Sequence, residues 1–252
     1  MIELVALATR PDLRPQIFDD RFRAAWPEFM MHDPTADLYF NDPDFSAVQA
    51  TAFAAIDSSD PHTAIGRAFA VPFTLGIPGR RTLPDTGWDG VIRWAHEDRN
   101  LGRTPNAISA LEITLLPEHR GQGTSHLIVL AMAAQARALG FEALYVPLRP
   151  TQKHREPDTP MAEYAHRTRP DGLPADPWLR THVRLGATIV KIAPISMTVT
   201  GTLADWRQWT GLSLDTPGPH HVPGALSPVH IAPGQDHGVY VEPNIWLRHT
   251  LS

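Results

Sequence analysis

The chain has 252 residues and a formal net charge of -5, with 42% hydrophobic and 19% charged residues. This composition supports a buried core and excludes a disordered, collagen-like or coiled-coil chain, while the acidic balance offers no general attraction to nucleic acid or anionic lipid. The absence of cysteine removes disulfides, a thiolate nucleophile and cysteine metal sites.

The apolar run Ile2 to Ala8 reads as a strand, too short and too acidic at Glu3 for a signal peptide. Leu13, Ile17, Phe18 and Phe22 then fall near helical spacing, predicting a helix within Arg10 to Phe22. Pro27, Pro34 and Pro43 cut the next stretch into pieces, and a helix is expected from Asp44 through Val48, Phe53 and Ile56. After a turn over Asp57 to His62, Ala64 to Leu75 reads as a strand. Asp89 is the expected cap of a helix carrying Val91, Ile92, Trp94 and Ala95.

The strongest local pattern lies in the middle. Ile108 to Leu116 is an apolar strand ended by Pro117, and Ser125 to Leu139 is a helix with Leu127, Ile128, Leu130, Ala131, Ala134 and Ala138 on its apolar face. Ala143 to Leu148 is a second strand, ending at Arg149-Pro150. Residues 151–177 are polar and broken by five prolines, so an excursion or lid is expected there, or a plain solvated insertion. Trp178 to Leu185 reads as a short helix and Ala187 to Val199 as a strand whose Pro194 implies an edge or bulge. A helical piece with Trp206 and Trp209 follows, then turns rich in Pro, Gly and His. Val239 to Leu247 reads as a last strand or an extended arm. No apolar stretch approaches the roughly 20 residues that cross a bilayer, and a cytoplasmic protein is expected.

Arg120-Gly121-Gln122-Gly123-Thr124-Ser125 joins the central strand to the central helix. Glycines permit a tight turn, and the first helical amides lack intrahelical partners, so this turn suits a phosphate or diphosphate; it equally suits plain closure of a strand-helix pair. It lacks the Gly-Lys-[Ser/Thr] ending of a nucleotide-triphosphatase loop and the third glycine of a dinucleotide fingerprint. The segment resembles the acetyl-CoA motif of the GCN5-related N-acetyltransferase superfamily, Gln/Arg-x-x-Gly-x-Gly/Ala, with Ser125 at the last position. A second match is His182-Val183-Arg184-Leu185-Gly186-Ala187, where that family commonly has Tyr-x-x-x-Gly-Phe, so His182 stands at the tyrosine position.

The resemblance implies a mixed, twisted α/β sheet flanked by helices over residues 1–200, with 201–252 as a C-terminal extension packed on or near the same domain. It implies acetyl-CoA as acyl donor, with Leu115, Arg120, Gly121, Gln122, Gly123, Thr124 and Ser125 as its binding residues. The expected reaction is direct attack of an amine on the thioester, with no covalent enzyme intermediate. Glu112, a carboxylate in an apolar strand, is the candidate base; the other reading is an outward residue paired with an arginine. His182 is the candidate acid, since imidazole exchanges protons near neutral pH.

Tyr164 is a further acid candidate if the excursion folds back. Arg149, Lys153, Arg155, Arg167 and Arg169 against Glu156, Asp158 and Glu163 suggest a lid over CoA phosphate or, equally, a solvated charge mixture. The acceptor is expected to be a small molecule rather than a protein, with no metal, nucleic-acid or membrane partner, and a homodimer remains open. The alternative function is a catalytically silent acyl-CoA-binding or protein-interaction domain of the same fold.

Overall fold

The structure, a computed structural model, describes residues 2–40, 51–120 and 123–251. Its centre is a nine-stranded sheet in the order β1 (Ile2–Ala6), β2 (Ala52–Asp57), β3 (Asp60–Phe73), β4 (Ala107–Leu115), β5 (Ala143–Leu148), β9 (His237–Thr250), β8 (Val229–Ala232) and β7 (Gly218–His220). The remaining strand, β6 (Thr188–Gly201), runs antiparallel along most of β9. Every pairing is antiparallel except β4 with β5. The expected mixed, twisted α/β architecture is therefore present.

Strand β2 shows why the middle of this sheet reads apolar throughout. Phe53 and Ala55 pack into one core with Ile128, Met132 and Ala136 of helix α4 (Thr124–Ala138). Ala52, Ala54 and Ile56 pack into the opposite core with Val91 and Ala95 of helix α3 (Gly87–Asn100). A strand covered on both faces loses its period-2 alternation. The helix expected from Asp44 to Ile56 is corrected accordingly: Phe53 and Ile56 lie in β2, and residues 44–50 fall outside the described residues. Asp89 is corrected as well, being a buried residue inside α3 rather than its cap.

The predicted helix at Arg10 to Phe22 is broken into a 3-10 turn at Pro11–Leu13, α1 (Arg14–Ile17) and α2 (Asp20–Arg23). Asp19 caps α2 by accepting the Arg21 amide at 2.8 Å. Further turns at Glu28–His32 and Ala36–Phe40, which hydrophobic spacing did not reveal, carry Phe29 and Met30 into a third core. That core also takes Val199, Tyr240 and Trp206, the last from helix α7 (Leu203–Thr210).

The tail is not an extension laid upon a finished domain. Strand β9 lies between β5 and β6, pairing Leu148 with Ile245 on one side and Ile192 with Ile245 on the other. A boundary at residue 200 would leave β5 and β6 without the strand that joins them. The bulge expected at Pro194 is present as a register shift between Ala193 and Met197.

Candidate active site

Strands β4 and β5 are hydrogen-bonded only at Ile108 with Leu144 and Ser109 with Tyr145. Beyond Ser109 they part, and a cavity of about 1020 Å³ opens between Ala110–Leu115 and Val146–Leu148. Parallel strands that separate leave backbone groups facing a gap, which a ligand with its own amides can satisfy. Glu112, Leu115, Arg120, Ser125 and His182 all line this one cavity, so five of the nine site residues expected from sequence meet there.

Just before the lining residue Ser125, Gly123 caps helix α4 with φ +77°, a left-handed conformation that favours glycine, and offers no side-chain cap. The amides of Thr124 and Ser125, in the helix's first turn, consequently have no intrahelical partner. Thr124 is buried, and Arg120 donates from Nε to the Leu115 carbonyl at 2.9 Å, which ties the turn to the end of β4. Gly121 and Gln122 lie outside the described residues.

Glu112 is not a free carboxylate. Arg67 on β3 donates from Nε to Oε1 at 2.6 Å and from Nη2 to Oε2 at 3.2 Å, and Thr114 Oγ1 donates to Oε1 at 2.6 Å. The register makes this pairing possible: Glu112 faces Phe69 and Arg67 faces Thr114 across the ladder, so the two ions are diagonal neighbours. Glu112 is therefore arginine-paired, and it also lines the cavity.

His182 belongs to helix α6 (Pro177–Arg184) and is 1% exposed. Its Nδ1 lies 2.8 Å from Nε2 of His249 on β9, Trp178 meets the ring edge-on at 4.4 Å, and Nε2 has no partner. Burial, with His249 adding to it, pushes the His182 pKa down to about 3. Desolvation of this kind opposes the charged ring, so the surroundings of His182 disfavour the imidazolium that a general acid near neutral pH requires.

The excursion is folded rather than a loose lid. Tyr164, on α5 (Met161–Ala165), donates its hydroxyl to Asp176 Oδ2 at 2.9 Å, and burial beside that carboxylate raises its pKa, so Tyr164 is held as a structural donor. Lys153 is buried and donates to the carbonyls of Glu156, Pro157 and Leu226. Arg167 pairs with Glu156 and Glu163. The cations counted toward a phosphate lid are largely engaged within the fold. Sequence reasoning missed one cavity-lining cluster. Arg149 grips buried Glu242 with Nε at 3.0 and 3.1 Å from its two oxygens, and Tyr240 and Asn244 donate to the same carboxylate. The available signal was an arginine closing an apolar strand, but its partner lies 93 residues away.

No family model matches the chain. It is 33% identical over 274 residues to an arginine N-acetyltransferase, avaD, of Aspergillus versicolor, an alignment covering 98% of this chain and 93% of that protein. Among solved structures, the loading GNATL domain of CurA from Lyngbya majuscula superposes with a TM-score of 0.57 at 16% identity, covering 100% of this chain and 98% of that one. Near-complete alignment at 33% identity to the Aspergillus enzyme, on a sheet that opens between β4 and β5, places the chain in the GCN5-related N-acetyltransferase superfamily.

Proposed function

We propose that the protein is an acetyl-CoA-dependent N-acetyltransferase whose acceptor is a small-molecule amine, with arginine the first candidate because the Aspergillus relative bears that name. The observation that carries the proposal is the single cavity in which the parted strands, the first turn of α4 and the Glu112 carboxylate converge. A diphosphate fits the Thr124 and Ser125 amides, where the helix dipole favours an anion. The backbone of β4 beyond Ser109 fits an extended amide-bearing arm.

When bound, acetyl-CoA supplies the acyl group as a thioester open to direct attack. In this reading Glu112, directly or through water, takes the first proton that the acceptor ammonium must lose; the carbon-nitrogen bond forms as the carbon-sulfur bond breaks, its electron pair leaving on sulfur, and the thiolate takes the second nitrogen proton to leave as the CoA thiol. Arg67 and Thr114 hold that carboxylate against the cavity wall. Phe18, Trp26, Met30 and Met31 supply an apolar wall for the acceptor's carbon chain.

A second reading has its own observation. Glu112 is ion-paired and the surroundings of His182 disfavour its charged form, which also suits a domain that binds acyl-CoA without turning it over. Thiol release from acetyl-CoA with arginine, lysine, diamines and aromatic amines, measured beside calorimetric CoA binding, separates the two. Amine-dependent release with an acetylated product supports the enzyme. Tight CoA binding with no release across the panel favours the silent domain, and no CoA binding removes both.

A further inference from the structure

The cavity runs through the gap between β4 and β5, and its two sides differ in chemistry. On the α4 side its wall is Leu115, Val146, Leu148 and Trp178, which belong to the core packed on that helix. Glu112 is on the opposite face, since it stands directly across the ladder from Phe69 of the core packed on α3. Strand alternation puts Arg149 on the face of Tyr145, and Glu242 and Asn244 on the face of Trp246, both aromatics of that same core. Ser196 ties this group to the start of α3, donating to Asn244 Oδ1 at 2.5 Å and accepting from the Trp88 amide at 2.8 Å. Glu112 and Arg149 therefore line one chamber on the α3 face, each just past the last hydrogen-bonded residues, Ser109 and Tyr145.

Arg149 does not spend its whole fork on Glu242. It meets that carboxylate through Nε alone, and Nη2 donates to the Gly224 carbonyl at 2.6 Å. Tyr240 and Asn244 supply the other donors to Glu242, at 2.8 and 3.1 Å. Among the described residues no hydrogen bond uses Arg149 Nη1, and that atom is not one of the polar atoms sealed without a partner. Glu242 is 1% exposed and Arg149 20%, so the accessible part of the pair is the arginine, on the cavity wall. A guanidinium held at one edge, with N–H groups left over, matches a carboxylate in charge and geometry. Resting on the acetyl-transfer reading, we infer that Arg149 binds the carboxylate of the acceptor, which makes the substrate class an α-amino acid rather than a simple amine. The α-ammonium then lies at Glu112, across the gap from Arg149, and the side chain extends along Trp26, Met30, Met31 and Met197 of the third core.

Three pairs of probes differ only by the carboxylate: L-arginine and agmatine, L-lysine and cadaverine, L-leucine and 3-methylbutylamine. In the pair that the wild type uses best, the acid should be preferred about 30-fold in kcat/KM. Calorimetric titration of both members into the CoA complex should show the same preference and needs no turnover. Arg149→Met combined with Glu242→Gln removes both charges together and should bring the acid-to-amine ratio within about 3-fold of unity, while Arg149→Lys keeps a cation for Glu242, loses the fork and should lower the ratio about 10-fold. A crystal structure of the wild type with CoA and the best acid should place its carboxylate on Arg149. Equal use and equal binding of acid and amine by the wild type, an equal loss for both members in a folded variant, or a carboxylate held elsewhere overturns the assignment. Each of these leaves the acetyl-CoA reading in place, because CoA still binds. Failure of the wild type to bind CoA overturns both.

Discussion

Arg67 and Glu112 form a two-bond ion pair on adjacent strands, 12% and 8% exposed, at the wall of the cavity. A carboxylate this dry is tolerable because its partner is held in turn, Arg67 Nη1 donating to the Ile17 carbonyl at 2.9 Å. Arg67→Met should therefore strand the carboxylate and cost roughly 3 kcal/mol of stability in denaturant titrations. Glu112→Gln should be milder, and the double variant should recover part of the loss. Single-turnover rates should fall at least about 100-fold in Glu112→Gln, with CoA affinity retained. A single-turnover rate equal to wild type removes Glu112 from the chemistry and leaves the pair a structural brace.

Gly123 tests the phosphate end separately. At φ +77° a branched side chain is strained, and the turn would shift the first amides of α4. Gly123→Val should raise the Kd for both CoA and adenosine 3′,5′-bisphosphate about 10-fold, from loss of two aligned donors, with acceptor KM little changed. Unaltered bisphosphate affinity would move the diphosphate site elsewhere.

The central strand, turn, helix and strand were legible because their signals are local. Glycine and proline mark where the strand ends and α4 begins, but the expected apolar face is corrected: Leu127, Leu130, Ala134 and Ala138 are exposed, and the helix packs through Ile128, Val129, Met132 and Ala136, because a helix this apolar all round does not mark its own buried side. Strand β2 was not legible, since alanines at 52, 54 and 55 suit a helix in isolation and only burial on both faces makes them a strand. The site was half legible for the same reason. The glycine turn announces itself, whereas Arg67 with Glu112, Arg149 with Glu242 and His182 with His249 are each joined across 45 or more residues by the tertiary fold. The placement of β9 between β5 and β6 is likewise a tertiary fact that no local pattern carries.

Asp176 is where the excursion is fastened. Its Oδ1 caps α6 by accepting from the amides of Trp178 at 2.9 Å and Leu179 at 3.0 Å, and its Oδ2 accepts from the Gln152 amide and the Tyr164 hydroxyl at 2.9 Å each. Asp176→Ala loses a helix cap and orphans buried donors, an effect of about 3 kcal/mol. Because α6 carries His182, CoA binding should weaken along with a lower Tm. Limited proteolysis should cut first between residues 151 and 177. A stable variant with an intact excursion would show that apolar packing alone holds this segment.

Asp33 and Asp89 make stability depend on pH in an unusual direction. Both are buried, each has one oxygen without a partner, and burial raises their pKa values to about 6 and about 8 respectively. Asp37 pushes Asp33 further up, and Asp33 pushes Asp89; Arg93, the amides of Thr35, Ala36 and Thr198, and the Thr35 hydroxyl oppose them. In the unfolded chain both titrate near 3.8, so between about pH 4 and 8 the native state binds more protons. Stability from this pair is then full below about pH 4, falls as pH rises through that window and levels off above it. Asp89→Asn mimics the protonated acid and should raise Tm by about 5 °C at pH 8, with almost no change at pH 4. The same shift at both pH values would show that the carboxylate's charge is not what strains the contact between the 28–40 segment and α3.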